Sequence, residues 1–491
     1  MKNFAWDARY QLNTTREVRR YMDYYSAGTY FQHNVCPELD LPTVDINATF
    51  DRIERDVLAG NVTTYNANRA IFELFGSVKD GHVLFMPMCV AGAFVFEHEY
   101  SLVQIAETPD SIPETYVAGW NGPTRPPTVG PKVAKINGVD VVSYLTDLAR
   151  SHPETSWIDP DARFNELLLH MSTQGWDGGL FAKRNSWAED PITIEFANGT
   201  SVSVQWKARW SNTRRASNSD GSLPFRDTQS FLANVCTRSE QDIADDIKNL
   251  HKRSLDDRAS DPPPAAAVAA DVRRSLHPRQ NLQAISTTSG ELFYYELDEQ
   301  TAVLMLSAFV ELSTDVKPVE FQAEFSRTAA RAIETAKKNG MKRLLIDVAY
   351  NGGGYLSLGH NLVRQLFPKN NDVFFGTNMR WNPVLDKCFT EGDQDFISKT
   401  YFSLGRQRKP DGSDWKDFRE MLGPVHRDDD YFTNVAVADE NGTIEDTGNT
   451  IFQGFSPDQP FAIEDVVMVR TVPPPPPRLR ARVANAHQRL Q

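Results

Sequence analysis

Three consecutive glycines, Gly352-Gly353-Gly354, follow the apolar run Leu344-Leu345-Ile346-Asp347-Val348 and precede a segment with helical spacing. Glycine tolerates positive φ and lets a ligand come close to the backbone. Backbone N–H groups near a helix N-terminus can stabilise a developing oxyanion or hold a phosphate. The same glycines also fit a plain strand-to-helix turn. Neither a Gly-Lys-Ser/Thr sequence nor GxGxxG spacing is present, so this is not a nucleotide loop. The second group is Asp80-Gly81-His82, between a helical pattern and a strand pattern. A histidine at such a junction, its imidazole oriented by a neighbouring carboxylate, can act as a general base. The competing reading is a surface or satisfied core histidine. The other histidines form no HExxH or comparable ligand set, and Asp428-Asp429-Asp430 reads as a solvated loop. Cys36, Cys89, Cys236 and Cys388 lack CxxC or CxxH spacing, which excludes a zinc ribbon and a dense disulfide framework.

These groups need a scaffold. Thr49 precedes Phe50, Ile53, Val57 and Leu58 at helical spacing, within a region, 14–75, that reads mainly as helix. A further helix is predicted over 66–75, with Ile71, Leu74 and Phe75 on one face and a break at Gly76 and Asp80-Gly81-His82. From Val83 to Val204, short Val/Phe/Tyr-rich runs separated by Gly, Pro and Asn predict a β-rich module. Within it, Val133 to Val141 reads as strand, Asn137-Gly138 turn and second strand, entering a helix near 142–149. Residues 211–282 read as an insertion or linker, partly helical around 241–250, because their Pro/Ala/Ser-rich stretches cannot build a core. Order returns at Glu291, with strands over LFYYELD and TAVLMLSAFVEL. An amphipathic helix is predicted over 320–339 with Gly340 as its cap, then a doubly covered strand over 341–348 and a helix over 356–366. That alternation is an α/β layer architecture.

Composition limits function. The 491 residues carry a formal charge of −13 and no basic block, which excludes gripping nucleic acid or anionic lipid. No apolar run approaches the roughly 18 residues of a membrane span, and the amino terminus turns polar too soon for a secretory signal. Sequons at Asn13, Asn47, Asn61, Asn198 and Asn441 leave the secretory pathway open.

In this order the motifs resemble the tail-specific, or C-terminal-processing, serine peptidases, in the fungal branch related to chlamydial protease-like activity factor. The resembling residues are Asp80 to Phe85, Val133 to Val141, Asp159 to Asn165, Leu344 to Gly354, and Gln459-Pro460-Phe461 with Glu464 to Val467. The resemblance implies a multidomain α/β protein. Residues 1–85 would form a helical region, 86–210 a β-rich PDZ-like module and 211–290 an insertion. Residues 291–470 would be a crotonase-like catalytic domain of stacked parallel sheets, incomplete at its C-terminus, and 471–491 a disordered Pro/Arg tail. It also implies His82 as general base, Gly353 and Gly354 as oxyanion-hole amides, a peptide or protein substrate, and no metal, nucleotide or flavin cofactor. Similar fungal proteins accompany clusters for ribosomally made cyclic peptide toxins of the ustiloxin and phomopsin kind, where they are thought to cut a repetitive precursor.

One departure is plain. In that family a strand like Asp465 to Val469 leads into an Asp-Gly-x-Cys-x-Ser turn bearing the nucleophile, and a later carboxylate orients the histidine. Here Thr471 and five prolines follow, no serine occurs after Ser456, and no Asp or Glu occurs after Asp465. The expectations are therefore a serine endopeptidase whose nucleophile segment is missing from this reading frame, or a catalytically dead peptide-binding protein. A third is an unrelated hydrolase using the glycine turn. Exposed apolar surface or poor stability is expected where the core fails to close.

Overall fold

The computed structural model describes residues 8–235 and 285–469, except 34–36, 88–90, 92, 109, 120–127, 173–174, 187–190, 211–222, 224, 232–233, 313–315, 350, 370–375, 399–402, 428 and 439–455. The expected helix at 241–250 and the tail 471–491 lie outside the described residues. No helix among the described residues is long and apolar enough to cross a membrane.

Three helices open the chain: α1 (Ala8–Met22), α2 (Ile46–Leu58) and α3 (Thr64–Val78). Asp45 and Thr63 cap α2 and α3 by accepting the N–H groups of Ala48 and Asn66, satisfying donors that each first turn leaves orphaned. Phe50, Ile53 and Val57 of α2 pack with Ile71, Leu74, Phe75 and Val78 of α3. Leu58, one residue round the helix from Val57, is exposed. The described residues within 23–45 form turns, irregular backbone and short 3-10 segments rather than continuous helix. Gly76 does not break α3. A Cβ there would lie 2.3 Å from the Pro153 carbonyl oxygen, so the glycine serves close approach. The helix stops after Val78, where Lys79 takes the left-handed conformation with φ 57°.

The middle module begins with β1 (Phe94–Glu97), β2 (Tyr100–Ile105), β3 (Glu114–Gly119), β4 (Thr128–Ile136) and β5 (Val139–Asp140). The β4–β5 turn is Asn137-Gly138 with both residues at positive φ, as the Asn-Gly pair predicts. Asp140 then caps α4 (Val141–Ser151), and Asp159 with Pro160 at the first turn starts α5 (Pro160–Glu166). Beyond a short hairpin formed by His170–Ser172 and Gly175–Asp177, the module continues with β6 (Lys183–Arg184), β7 (Ile192–Phe196), β8 (Ser201–Val204) and β9 (Lys207–Trp210). A six-stranded antiparallel sheet runs β8-β7-β4-β3-β2 with β5 on β4, while β1 pairs with β6 and β9. Beyond β9, Phe231 and Val235 pack with Ala93, Phe94, Trp210 and Phe225. Part of the expected insertion therefore belongs to a small core, because its aromatics meet the β1–β9 pair.

The last module holds a five-stranded sheet in the order β10 (Ile285–Ser286), β11 (Leu292–Glu296), β12 (Thr301–Leu306), β13 (Arg343–Asp347), β14 (Val466–Val469). It is mixed: β10–β11–β12 are antiparallel, whereas β12, β13 and β14 run parallel. Helices α6 (Pro318–Lys338) and α7 (Leu356–Leu366) supply Phe321, Phe325, Ala329, Leu358 and Leu362 to its core. On β13, Leu344 and Ile346 are buried but Leu345 only partly so; one face is covered fully and the other in part. On edge strand β14, Val467, Met468 and Val469 are exposed.

Candidate active site

The glycine turn follows β13 and leads into α7. Gly353 has φ 86° and Gly354 φ 137°. Gly354 bridges Phe309: Phe309 N–H donates to the Gly353 carbonyl, and Tyr355 N–H donates to the Phe309 carbonyl, both at 2.8 Å. A Cβ on Gly354 would sit 2.2 Å from the Phe309 carbonyl carbon and oxygen, so this position requires glycine. Around Gly352 and Gly353 there is open space. Asn351 spans the turn. Its side-chain amide donates to the Leu306 carbonyl (2.8 Å), while its Oδ1 accepts the Gly353 N–H (2.7 Å). The Gly353 amide is thus already engaged, whereas the Gly354 N–H donates to no partner among the described residues. Tyr355 completes the surround by donating its hydroxyl to Glu311 (3.0 Å).

His82 lies on the loop after α3, its side chain 99% exposed. Its Nδ1 is 3.3 Å from Asp80 Oδ1, and its backbone N–H donates to that oxygen at 2.9 Å. Asp80 Oδ2 accepts the Tyr25 hydroxyl at 2.8 Å. An added Cβ on Gly81 would meet the Trp157 ring at 3.4 Å, and Phe85 returns the chain to the helical core by stacking edge-on against Phe75. Two buried cations fix the base of this loop. Lys79 donates to the His152 carbonyl (2.7 Å) and Thr155 Oγ1 (3.1 Å). Arg163 donates to the carbonyls of Trp157, Ile158, Leu39 and Asp40.

Among the described residues no hydrogen bond, ion pair or ring contact joins His82 to the glycine turn. What the fold does bring beside the turn is the end of β14. Asp347 pairs with Val469, and Val348 N–H donates to the Val469 carbonyl at 2.8 Å. The carboxyl ends of two parallel strands are where α/β folds place their sites.

A different serine–histidine contact exists, and its tautomer argues against catalysis. Ser186 Oγ lies 3.2 Å from His152 Nε2, but His152 Nδ1 accepts the Glu154 N–H. The proton of the neutral ring then sits on Nε2 and is donated to the serine, the reverse of what a base requires. Burial, helped by Arg184 and Lys79, pushes His152 well below its ordinary value and keeps it neutral. The acidic run is also not a solvated loop throughout. Asp430 is buried and pairs with Arg380 at 2.6 Å. No cluster of three His/Cys/Asp/Glu among the described residues is placed to hold a metal.

Sequence reasoning missed Asn351, Tyr25 and the Lys79 and Arg163 anchors. For Asn351 the signal was present, since it adjoins the glycines. The other three act through contacts far along the chain.

A family described as CPAF-like PDZ domain matches residues 95–215. The Diaporthe leptostromiformis peptidase S41 family protein phomP1' is 26% identical over 358 residues, covering 70% of this chain and 50% of that protein. The Aspergillus flavus peptidase S41 family protein ustP is 27% identical over 202 residues, covering 39% of this chain and 36% of that one. The chain spans about half the length of the first relatives it matches. Among solved structures, mature CPAF complexed with lactacystin aligns over 84% of this chain and 70% of that one, with a TM-score of 0.43 and 13% identity. The likeness to fungal S41 peptidases is therefore carried by alignment as well as by motif, and the α/β chain carries a PDZ-like module.

Proposed function

We propose that this chain supplies the general base, the oxyanion-binding turn and the peptide-docking module of a serine endopeptidase that processes a peptide precursor. The observation that carries this reading is the parallel β13–β14 pair. Val469, the last described residue of β14, lies against Asp347 and Val348 at the start of the glycine turn, and a nucleophile must stand near that turn to reach an oxyanion site. His82 takes the nucleophile's proton and returns it to the leaving amine, and the Gly354 N–H binds the developing oxyanion. Gly353 adds a second donor once Asn351 turns away. The nucleophile belongs to a segment following β14 that this sequence does not spell. Similarity to phomP1' and ustP supports a precursor from a ribosomal peptide toxin pathway as the substrate class.

The test is direct. The native transcript downstream of the Phe461 codon is sequenced, and the purified native protein is treated with a fluorophosphonate probe. A serine-bearing segment after β14, with labelling abolished by His82→Ala, is expected. A transcript ending as written, with no labelling and no precursor cleavage, refutes the peptidase reading and leaves peptide binding.

A further inference from the structure

A carboxylate stands beside His82 on its own loop. We infer that Asp80 is the positioning residue for His82, and that Tyr25 holds Asp80 in place. The inference rests on the peptidase reading for its purpose, but not for its test.

Both oxygens of Asp80 are occupied. Oδ1 faces the His82 backbone N–H and Nδ1, and Oδ2 accepts the Tyr25 hydroxyl. Burial and this bond raise Tyr25 above its ordinary value, so the hydroxyl stays protonated and donates. The segment bearing Tyr25 is itself clamped. Arg380, paired with Asp430, donates from its guanidinium to the Met22 carbonyl (3.0 Å) and from its backbone N–H to Ser26 Oγ (3.0 Å). The carboxylate is therefore set before any substrate arrives. With Nδ1–H donated to Asp80, the neutral imidazole leaves Nε2 bare, and a bare Nε2 is what a general base needs. His82 is otherwise free in solvent, so this contact is what selects the tautomer.

The two neutral tautomers are distinguished by long-range proton–nitrogen correlation on the full chain labelled with nitrogen-15 histidine, at about pH 8 where ordinary imidazoles are neutral. His82→Gln assigns the resonance. The wild type is expected to hold a larger share of the Nδ1–H form than a free histidine does. Asp80→Ala should move the ratio about two- to fivefold toward Nε2–H, the range that an exposed charged pair sustains. Asp80→Asn keeps an acceptor for the turn but lacks the charge; it should shift the ratio the same way and serves if the alanine protein fails to fold. Tyr25→Phe should give a smaller shift of the same sign. One ratio shared by the wild type and the folded Asp80 variants, or a shift toward Nδ1–H in those variants, overturns the inference. Either result stands whether or not a serine segment is found.

Discussion

Replacing Lys79 with methionine should make stability less dependent on pH, in one direction only. Lys79 is 1% exposed and its amine meets two neutral oxygens, with no carboxylate partner among the described residues. Burial, reinforced by the Arg163 guanidinium, pulls its pKa down to about 7 from 10.5. The gap corresponds to roughly 4–5 kcal/mol of folding free energy. Below about pH 7 both folded and unfolded chains carry the proton, and the whole cost opposes folding. Between about pH 7 and 10.5 the unfolded chain binds one proton more than the folded one, so stability rises with pH across that window. Methionine fills the same space without a charge, and the cost of its left-handed backbone matches that of lysine. Urea unfolding of both proteins, followed by tryptophan fluorescence, measures the difference. The wild type should gain on the variant by about 1.4 kcal/mol per pH unit, or roughly 2–3 kcal/mol between pH 7.5 and 9.5. A difference that stays flat over that interval refutes the reasoning, because it means the folded protein keeps Lys79 charged.

Three packing predictions are checked by thermal or urea melts. Gly354→Ala drives a Cβ to 2.2 Å from the Phe309 carbonyl and should cost more than about 3 kcal/mol, whereas Gly352→Ala enters open space and should stay within about 1 kcal/mol. Gly76→Ala should destabilise, although helix propensity alone favours alanine by about 1 kcal/mol, because the Pro153 carbonyl is 2.3 Å from the new atom. Arg163→Met strands carbonyls on both sides of the contact between residues 39–40 and 157–158 and should cost about 2–4 kcal/mol; Arg163→Lys should recover only part, since one ammonium cannot span the same fork.

Local chemistry was legible where a residue's role is decided by its neighbours in sequence. Asn137-Gly138 specifies its turn, and the apolar spacing of 356–366 marks α7 to the residue. The glycine turn and the Asp80-Gly81-His82 loop were found because each combines chemistry with an abrupt change of periodicity. Gly76 was misread because local rules treat glycine as a helix breaker, while its reason is a carbonyl more than seventy positions away. The anchors share this property: Tyr25 reaches Asp80 across 55 positions, Lys79 reaches His152 across 73, and Arg163 reaches Leu39 across 124. Asp430 looked like one of three solvated acids, and its burial follows from its ion pair with Arg380, a residue fifty positions earlier. Unbroken apolarity at Leu344-Leu345-Ile346 suggested two covered faces, yet the sheet covers Leu345 only partly. Hydrophobic runs report what a strand tolerates, and neighbours from elsewhere decide what it receives.

The β13–β14 ladder also sets a timetable for biosynthesis. Leu344 and its partner Val466 are separated by about 120 residues of chain, which a ribosome adding 5–20 residues per second needs about 6–24 s to make. Throughout that interval β13 can pair with β12 on one side while its other edge stands bare, an apolar strand with unmet amide and carbonyl groups. Such an edge is a template for pairing with another nascent chain. The yield of correctly folded protein should then depend on how well this one edge is shielded during elongation, more than on the stability of the finished sheet.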